Sequence, residues 1–228
     1  MAAAPPVPAS QEANYDHISG DNPYLKRSYG KLDIKDMTQL YDDWAQTYDR
    51  DVIEGEEYKA PPLVAETILQ NLGSSTIDPS VQILDVGCGT GLVGISLAKL
   101  GAQQVDGIDL SPGMLAIARK AGVYRKLEPA DITKPIAFAD ETYDVVSCVG
   151  TFTAGHVGPS ALNELVRVAK RKGLIVATVL DEIYEKLGYK AEVEKLAADG
   201  KVEVIGTETM LYRTKHKAVA RNVILRRK

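Results

Sequence analysis

The sequence predicts an α/β fold: a seven-stranded, mostly parallel sheet with helices on both faces, ending in an antiparallel hairpin. Three observations predict it. Short apolar, β-branched runs alternate with helical runs from about residue 82 to residue 180, the rhythm of parallel strands joined by crossover helices. The first run, VQILDVG, leads through the glycines of GCGTG straight into a helical run, so a tight turn lies between strand and helix. The last two runs, KVEVIGTETMLYR and KAVARNVILRR, are separated by little more than TKH. That connection is too short for a parallel crossover and forces a hairpin.

Each element follows in chain order. Residues 1–35 read as a flexible N-terminal tail. MAAAPPVPASQEA is rich in Ala and Pro, lacks a basic n-region and a long apolar stretch, and makes a poor secretory signal. HISGDNPYLKRSYGK is polar, carries three turn signals and two tyrosines, and is expected to order only over a ligand. Residues 36–75 read as a helical segment. In DMTQLYDDWAQTYDRDV, Leu40, Trp44 and Tyr48 recur every four residues and Tyr41 lies seven before Tyr48, the pattern of an amphipathic helix with an aromatic face. APPLVAETILQNL is a second helix whose prolines sit at its start, where a missing N–H does no harm. Residues 76–228 form the α/β domain. Its strands are VQILDVG, AQQVDGIDL, YRKLEPADI, YDVVSCVG and GLIVATVL, followed by the hairpin. Its helices include GLVGISLAKLG, SPGMLAIARKAG (Ser111 as cap, Pro112 at the first position, Gly122 at the end) and PSALNELVRVAK. DEIYEKLGYKAEVEKLAADG supplies one or two more.

Composition narrows the function classes. With 45% hydrophobic and 25% charged residues the 228-residue chain is an ordinary globular one. A net charge of −4 and a pI near 5.5 disfavour a nucleic-acid partner; RNVILRRK reads as a solvated strand end. Cys88 and Cys148 belong to no metal-binding spacing, so no metal is expected, and free thiols suggest a reducing, cytoplasmic setting. No apolar run reaches the roughly 20 residues of a membrane span, so no membrane partner is expected. A monomer or homodimer is expected.

The glycine loop admits two readings. From Gly89, GTGLVG fits the dinucleotide pattern G-x-G-x-x-G; from Asp85, DVGCGTG fits a loop for S-adenosylmethionine (SAM). The glycines do not discriminate, and neither does Asp109, the acid placed to take ribose hydroxyls in both. Asp85 does. A pyrophosphate at a helix N-terminus disfavours an adjacent acid, whereas SAM carries an ammonium and a sulfonium that an acid suits. The terminal hairpin and the long segment before the first strand also favour SAM.

With those motifs in hand, the chain resembles the class I SAM-dependent methyltransferases, whose fold is Rossmann-like. LDVGCGTG, GIDLSPGML, PADIT and YDVVSCVGTF resemble that family's successive motifs. Lys170-Arg171-Lys172-Gly173 departs from the Lys-Pro-Gly-Gly the family usually has before strand five, so that turn is expected to differ. A narrower resemblance, carried by YDDWAQTYDRDV, YKAPPLVAE, LSPGMLAIARKAGVYRKL and VGTFTAGHVGPSALNELVRVAK, is to the Williams–Beuren syndrome methyltransferase-like proteins, the group of methyltransferase-like protein 27.

The resemblance implies SAM as cofactor, S-adenosylhomocysteine as product, and roles by motif position. Gly87, Gly89 and Gly91 lie under the methionine moiety, with Asp85 near its ammonium, directly or through water. Asp109 takes the ribose hydroxyls, Leu110 packs on adenine, and Asp131 with Ile132 meets its amino edge. Cys88 fills space inside the loop, a redox-sensitive thiol being the sharper alternative, and Cys148 brings its backbone near the methionine group. The helix of residues 36–52 lids the cofactor, with Tyr41, Trp44 and Tyr48 flanking the methionine end, where aromatic faces attract a soft cation. Tyr58 and Lys59 are weaker candidates. His156, after strand four, is the candidate catalytic base. Methyl transfer needs alignment and exclusion of water more than a metal or a nucleophile. The acceptor expected is a small molecule, because the Asn/Asp-Pro-Pro-Tyr run of adenine and glutamine methyltransferases is replaced by Val149-Gly150-Thr151-Phe152. A protein acceptor, a SAM- or S-adenosylhomocysteine-binding module without methylation, and a nicotinamide enzyme are the alternatives.

Overall fold

The computed structural model describes residues 15–155 and 157–228. Its sheet orders the strands β3-β2-β1-β4-β5-β8-β6, where β1 is Gln82–Val86, β2 Gln104–Asp109, β3 Lys126–Pro129, β4 Tyr143–Phe152, β5 Ala169–Leu180, β6 Val202–Gly206 and β8 Ala218–Arg227. Strands β1 to β5 pair in parallel, and β8 inserts antiparallel between β5 and β6. The penultimate strand read from the sequence is two. After β6, β7 (Thr209–Arg213) also pairs with β8, along its first half. A register shift at Gly206 separates them, and Asn222 N–H reaches Glu208 O at 2.8 Å across the break. Eight strand segments therefore occupy seven positions in the sheet.

The chain runs one way across the sheet from β1 to β3 and the other way from β4 to β5. Right-handed crossovers then put α6 (Leu92–Lys99) and α7 (Pro112–Ala121) on one face and α8 (Leu162–Val168) on the other. The strand order reverses between β1 and β4, which opens a crevice at the carboxyl ends of the strands there. Strand interiors are apolar on both sides, as this layering requires: Ile83, Leu84, Val86, Val145, Val146, Ile175 and Val176 are all buried. Beyond β5, α9 (Asp181–Tyr184) and α10 (Tyr189–Ala198) contact β8 and β6.

Five expectations change. Residues 15–35 do not form a bare tail. They carry α1 (Asp16–Ser19) and α2 (Pro23–Ser28), whose Ile18, Leu25 and Tyr29 are buried in the core. Three spaced apolar side chains are enough to pin so polar a stretch. The aromatic helix is two, α3 (Ile34–Trp44) and α4 (Tyr48–Ile53), broken at Ala45–Thr47. The helix α5 (Ala60–Leu72), grouped by sequence with residues 36–75, packs instead on the sheet layer against α6, β4 and β5, because Ala60, Val64, Ala65 and Ile68 make one apolar stripe. Strand β5 starts at Ala169 rather than Gly173. Lys172 takes φ +64° there, and the β4–β5 register jumps across the bulge. The basic C-terminal run is partnered within the chain: Arg226 donates to Lys172 O and Asn71 O, and Arg227 to Arg167 O, Ala169 O and Glu141.

Candidate active site

The crevice holds a cavity of about 190 Å³. Its floor is the turn after β1. Gly87 and Gly89 take φ +68° and +54°, a region where a side chain is strained. The two glycines have different work. A Cβ on Gly87 would fall 2.0 Å from Thr151 Oγ1, so this glycine allows close approach of β4. A Cβ on Gly89 meets nothing within 4 Å, and the residue lines the cavity, so its missing side chain leaves room for a ligand. At the end of β2, the Asp109 carboxylate accepts from Gly89 N–H at 2.8 Å and Ser111 N–H at 2.9 Å. Burial pushes that carboxyl up, against amide hydrogen bonds from Ser111, Gly89 and Leu110 that pull it down. Each carboxylate oxygen keeps a further lone pair for a hydroxyl. Leu110, Asp131 and Ile132 continue the wall. Thr133 N–H at 3.0 Å and Lys134 Nζ at 3.0 Å fix the Asp131 carboxylate, which both neighbours hold below the usual range despite burial.

The segment expected to lid the cofactor carries a Tyr-Asp repeat, and its aspartates had no role assigned from the sequence. Tyr41-Asp42 and Tyr48-Asp49 recur seven residues apart. Both tyrosines line the cavity. Both aspartates clamp the lid to the loops beneath: Asp42 accepts from the Ser111 hydroxyl and from Gly113 N–H at 2.7 Å, and Asp49 accepts from the Thr90 hydroxyl. The same Ser111 hydroxyl caps α7 through Met114 N–H at 3.0 Å. Leu32, Ile34 and Met37, at the start of the lid, also line the cavity and carried no motif.

Other candidates stand elsewhere. Asp85 is buried beneath the loop, 1% exposed and off the cavity wall. Its carboxylate accepts from Tyr124 Oη at 2.7 Å and Ser147 Oγ at 3.0 Å, Ser147 being its neighbour in register on β4. Tyr124, which no motif marked, then accepts from Gly94 N–H at 3.2 Å. A Cβ on Gly94 would lie 2.3 Å from that ring, so the last glycine of GTGLVG makes room for a tyrosine. Gly91 opens α6 at φ +99°, its Cβ position 3.0 Å from the same ring, also off the wall. Cys88 is buried behind the loop, its thiol pushed well above the usual range by burial and protonated, which disfavours a redox-reactive role. Cys148 is fully buried, its thiol pushed up to about 12 by burial. Trp44 does not reach this cavity. It is 1% exposed, stacked on Tyr24 at 5.4 Å, edge-on to Tyr48 at 4.7 Å, and donates its indole N–H to Asp51 at 3.0 Å. His156 lies outside the described residues; Gly155 and Val157, on either side of it in sequence, line the cavity.

A second cavity, of about 30 Å³, adjoins the first and shares Tyr41, Tyr48 and Gly150 with it. Gly150 takes φ +83°, and a Cβ on it would lie 2.9 Å from Tyr58 Oη and 3.1 Å from Tyr212 Oη. Two hydroxyls therefore overhang the junction. Their rings meet edge-on at 5.0 Å. Burial pushes Tyr41, Tyr48, Tyr58 and Tyr212 up, so all four are neutral donors at physiological pH.

Residues 84–177 match the model of a methyltransferase domain. The chain is 36% identical over 171 residues to human methyltransferase-like protein 27, covering 75% of this chain and 68% of that one. The chain belongs to the class I SAM-dependent methyltransferases, in the group of methyltransferase-like protein 27. Its fold is similar to the crystal structure of the [4+2]-cyclase SpnF (TM-score 0.62, 17% identity, 83% of this chain and 94% of that one). It is likewise similar to a TehB-like SAM-dependent methyltransferase from Corynebacterium glutamicum (TM-score 0.59, 18% identity, 83% and 99%). SAM is therefore this methyltransferase's cofactor, and the residues on the cavity wall fit it: an open glycine turn, the Asp109 carboxylate with lone pairs left for hydroxyls, and apolar walls. Among the described residues no group of His, Cys, Asp and Glu side chains is placed to hold a metal ion, and no helix is long and apolar enough to cross a membrane.

Proposed function

We propose that this methyltransferase acts on a small-molecule acceptor seated in the second cavity. The observation that carries the reading is the junction at Gly150: a small chamber walled by tyrosines shares Tyr41, Tyr48 and Gly150 with the larger cavity, beneath a segment clamped by Asp42. A chamber of about 30 Å³ suits part of a metabolite better than a folded protein surface. Gly87, Gly89 and Asp109 are the residues proposed to hold SAM's methionine and ribose parts, and Leu110, Asp131 and Ile132 its adenine. SAM supplies a methyl group on a sulfonium, already a strong leaving group. The chain's own contribution is alignment. Gly150 leaves room at the junction, the mutually hydrogen-bonded Tyr58 and Tyr212 hydroxyls offer one remaining donor to the acceptor's polar atom, and Tyr41 and Tyr48 exclude water. Burial pushes all four tyrosine hydroxyls up, which favours hydrogen-bond donation over proton abstraction. The proposed base is His156; unchanged turnover of His156→Ala at every pH would exclude it.

The test is to incubate the protein with SAM and, separately, a metabolite extract freed of macromolecules and the macromolecular fraction. The expected result is S-adenosylhomocysteine from the metabolites. Product only from the macromolecular fraction would assign a protein acceptor. No product from either, with SAM bound, would favour a binding module.

A further inference from the structure

Arg213 lines the second cavity, and no carboxylate among the described residues pairs with it. Arg213, on β7, is 2% exposed. Its Nη2 donates to Tyr29 Oη at 2.6 Å, and the Tyr29 and Tyr212 rings face its guanidinium at 5.6 Å each. Its Nε and Nη1 are buried and have no hydrogen-bond partner among the described residues. No carboxylate among them lies within ion-pairing distance of it. Glu56, on the adjoining segment, turns its carboxylate to His216 Nδ1 at 2.8 Å instead. A buried guanidinium normally meets a carboxylate, since its several donors are costly to leave unmatched. Aromatic faces soften that cost without supplying an anion.

We infer that Arg213 is the anchor for a carboxylate on the methyl acceptor, so that the substrate is a small carboxylic acid. This rests on the acceptor reading above. The cavity is small and carries one guanidinium, with no lysine and no second arginine on its wall. That suits a planar monoanion better than a phosphate. Tyr29 and Tyr212 flank the charge, and Tyr58 and Tyr212 meet the acid's body where it reaches Gly150 and the cofactor cavity. Fixing the acid at one end sets which of its atoms arrives at the junction, and so selects the site of methylation.

The test saturates the full-length protein with S-adenosylhomocysteine and titrates it calorimetrically with acetate, benzoate, phenylacetate and 3-phenylpropionate, and with their primary amides. At least one acid is expected to bind at least tenfold more tightly than its amide. Arg213→Gln is expected to abolish that preference while S-adenosylhomocysteine affinity changes by less than about threefold, because Arg213 lines the second cavity and not the first. Equal binding of acids and amides, or no binding of either, overturns the proposal. If Arg213→Gln does not fold, Arg213→Lys and the wild-type acid–amide comparison decide. The metabolite assay separates the two readings: activity confined to the fraction not retained on an anion exchanger overturns the carboxylate anchor and leaves the small-molecule acceptor standing. Product from no metabolite fraction overturns the acceptor reading, and the carboxylate anchor with it.

Discussion

Two glycines two residues apart give opposite expectations. At Gly87 both backbone and space forbid a side chain, because φ is +68° and the Cβ would overlap Thr151 Oγ1 on β4. Gly87→Ala should therefore lower stability by about 2–4 kcal/mol, combining left-handed strain with overpacking. At Gly89 only the backbone objects, since the Cβ position is open. Gly89→Ala should lose only about 1–2 kcal/mol. It should nevertheless weaken S-adenosylhomocysteine by tenfold or more, because the methyl enters the ligand's space. Urea unfolding and calorimetry on both variants check this; equal loss of stability with equal loss of affinity would show that the two positions are not distinct. At the same scale sequence reading reached Gly87, Gly89, Asp109, Leu110, Asp131 and Ile132, which the structure brings to one wall, because each lies at a fixed offset from a strand end. Motif position and charge together put Asp85 near the ligand's ammonium, directly or through water, and neither reports which way a side chain leaves its strand. In the structure that side chain accepts from Tyr124 and Ser147.

The proposed lid, α3 and α4, is held by charge-assisted hydrogen bonds rather than by its own helices. With 11 residues in α3 and 6 in α4, neither is long enough to be stable alone. Trp44 supplies the packing and Asp42 the register, by holding Ser111 and Gly113. Asp42→Ala removes the acceptor of both bonds and should cost about 1–3 kcal/mol of lid closure. The expected readout is faster S-adenosylhomocysteine release, by roughly 5- to 150-fold in stopped-flow displacement, with the global unfolding midpoint changed much less. An unchanged release rate would mean that Asp42 only caps α7. The aromatic periodicity at 40, 44 and 48 announced a helix, but its break at Ala45–Thr47 follows from tertiary demands. Tyr41 and Tyr48 must enter the cavity, while Trp44 turns away to stack on Tyr24, a partner from the stretch read as tail.

Across the whole molecule, legibility followed contact range. The parallel sheet and the terminal hairpin were readable because each depends on local alternation and connection length. The second cavity was not, since its wall joins Tyr29, Tyr58, Gly150 and Arg213 from distant parts of the chain with no shared period. The split of β6 from β7 was hidden for the same reason: both belong to one apolar run, and only the bulge against β8 separates them. The core also contains an ionisable group that works against it. Burial pushes the Asp85 carboxyl from 3.8 up to about 6, although Tyr124 and Ser147 donate to it. The native state thus binds this proton more tightly than the unfolded chain does. Ionising Asp85 above its folded pKa disfavours the fold, and stability from this group returns as pH falls through about 6 toward 3.8. Asp85→Asn removes that titration, while the other shifted groups remain in both proteins and largely cancel from the difference. Between pH 5 and pH 8 the unfolding free energy of Asp85→Asn minus that of wild type should move in the variant's favour by about 1 kcal/mol. Urea unfolding at the two pH values measures it. A difference that stays flat, or moves toward wild type, would show that Asp85 is ionised in the native state across the whole range, with Tyr124 and Ser147 outweighing its burial.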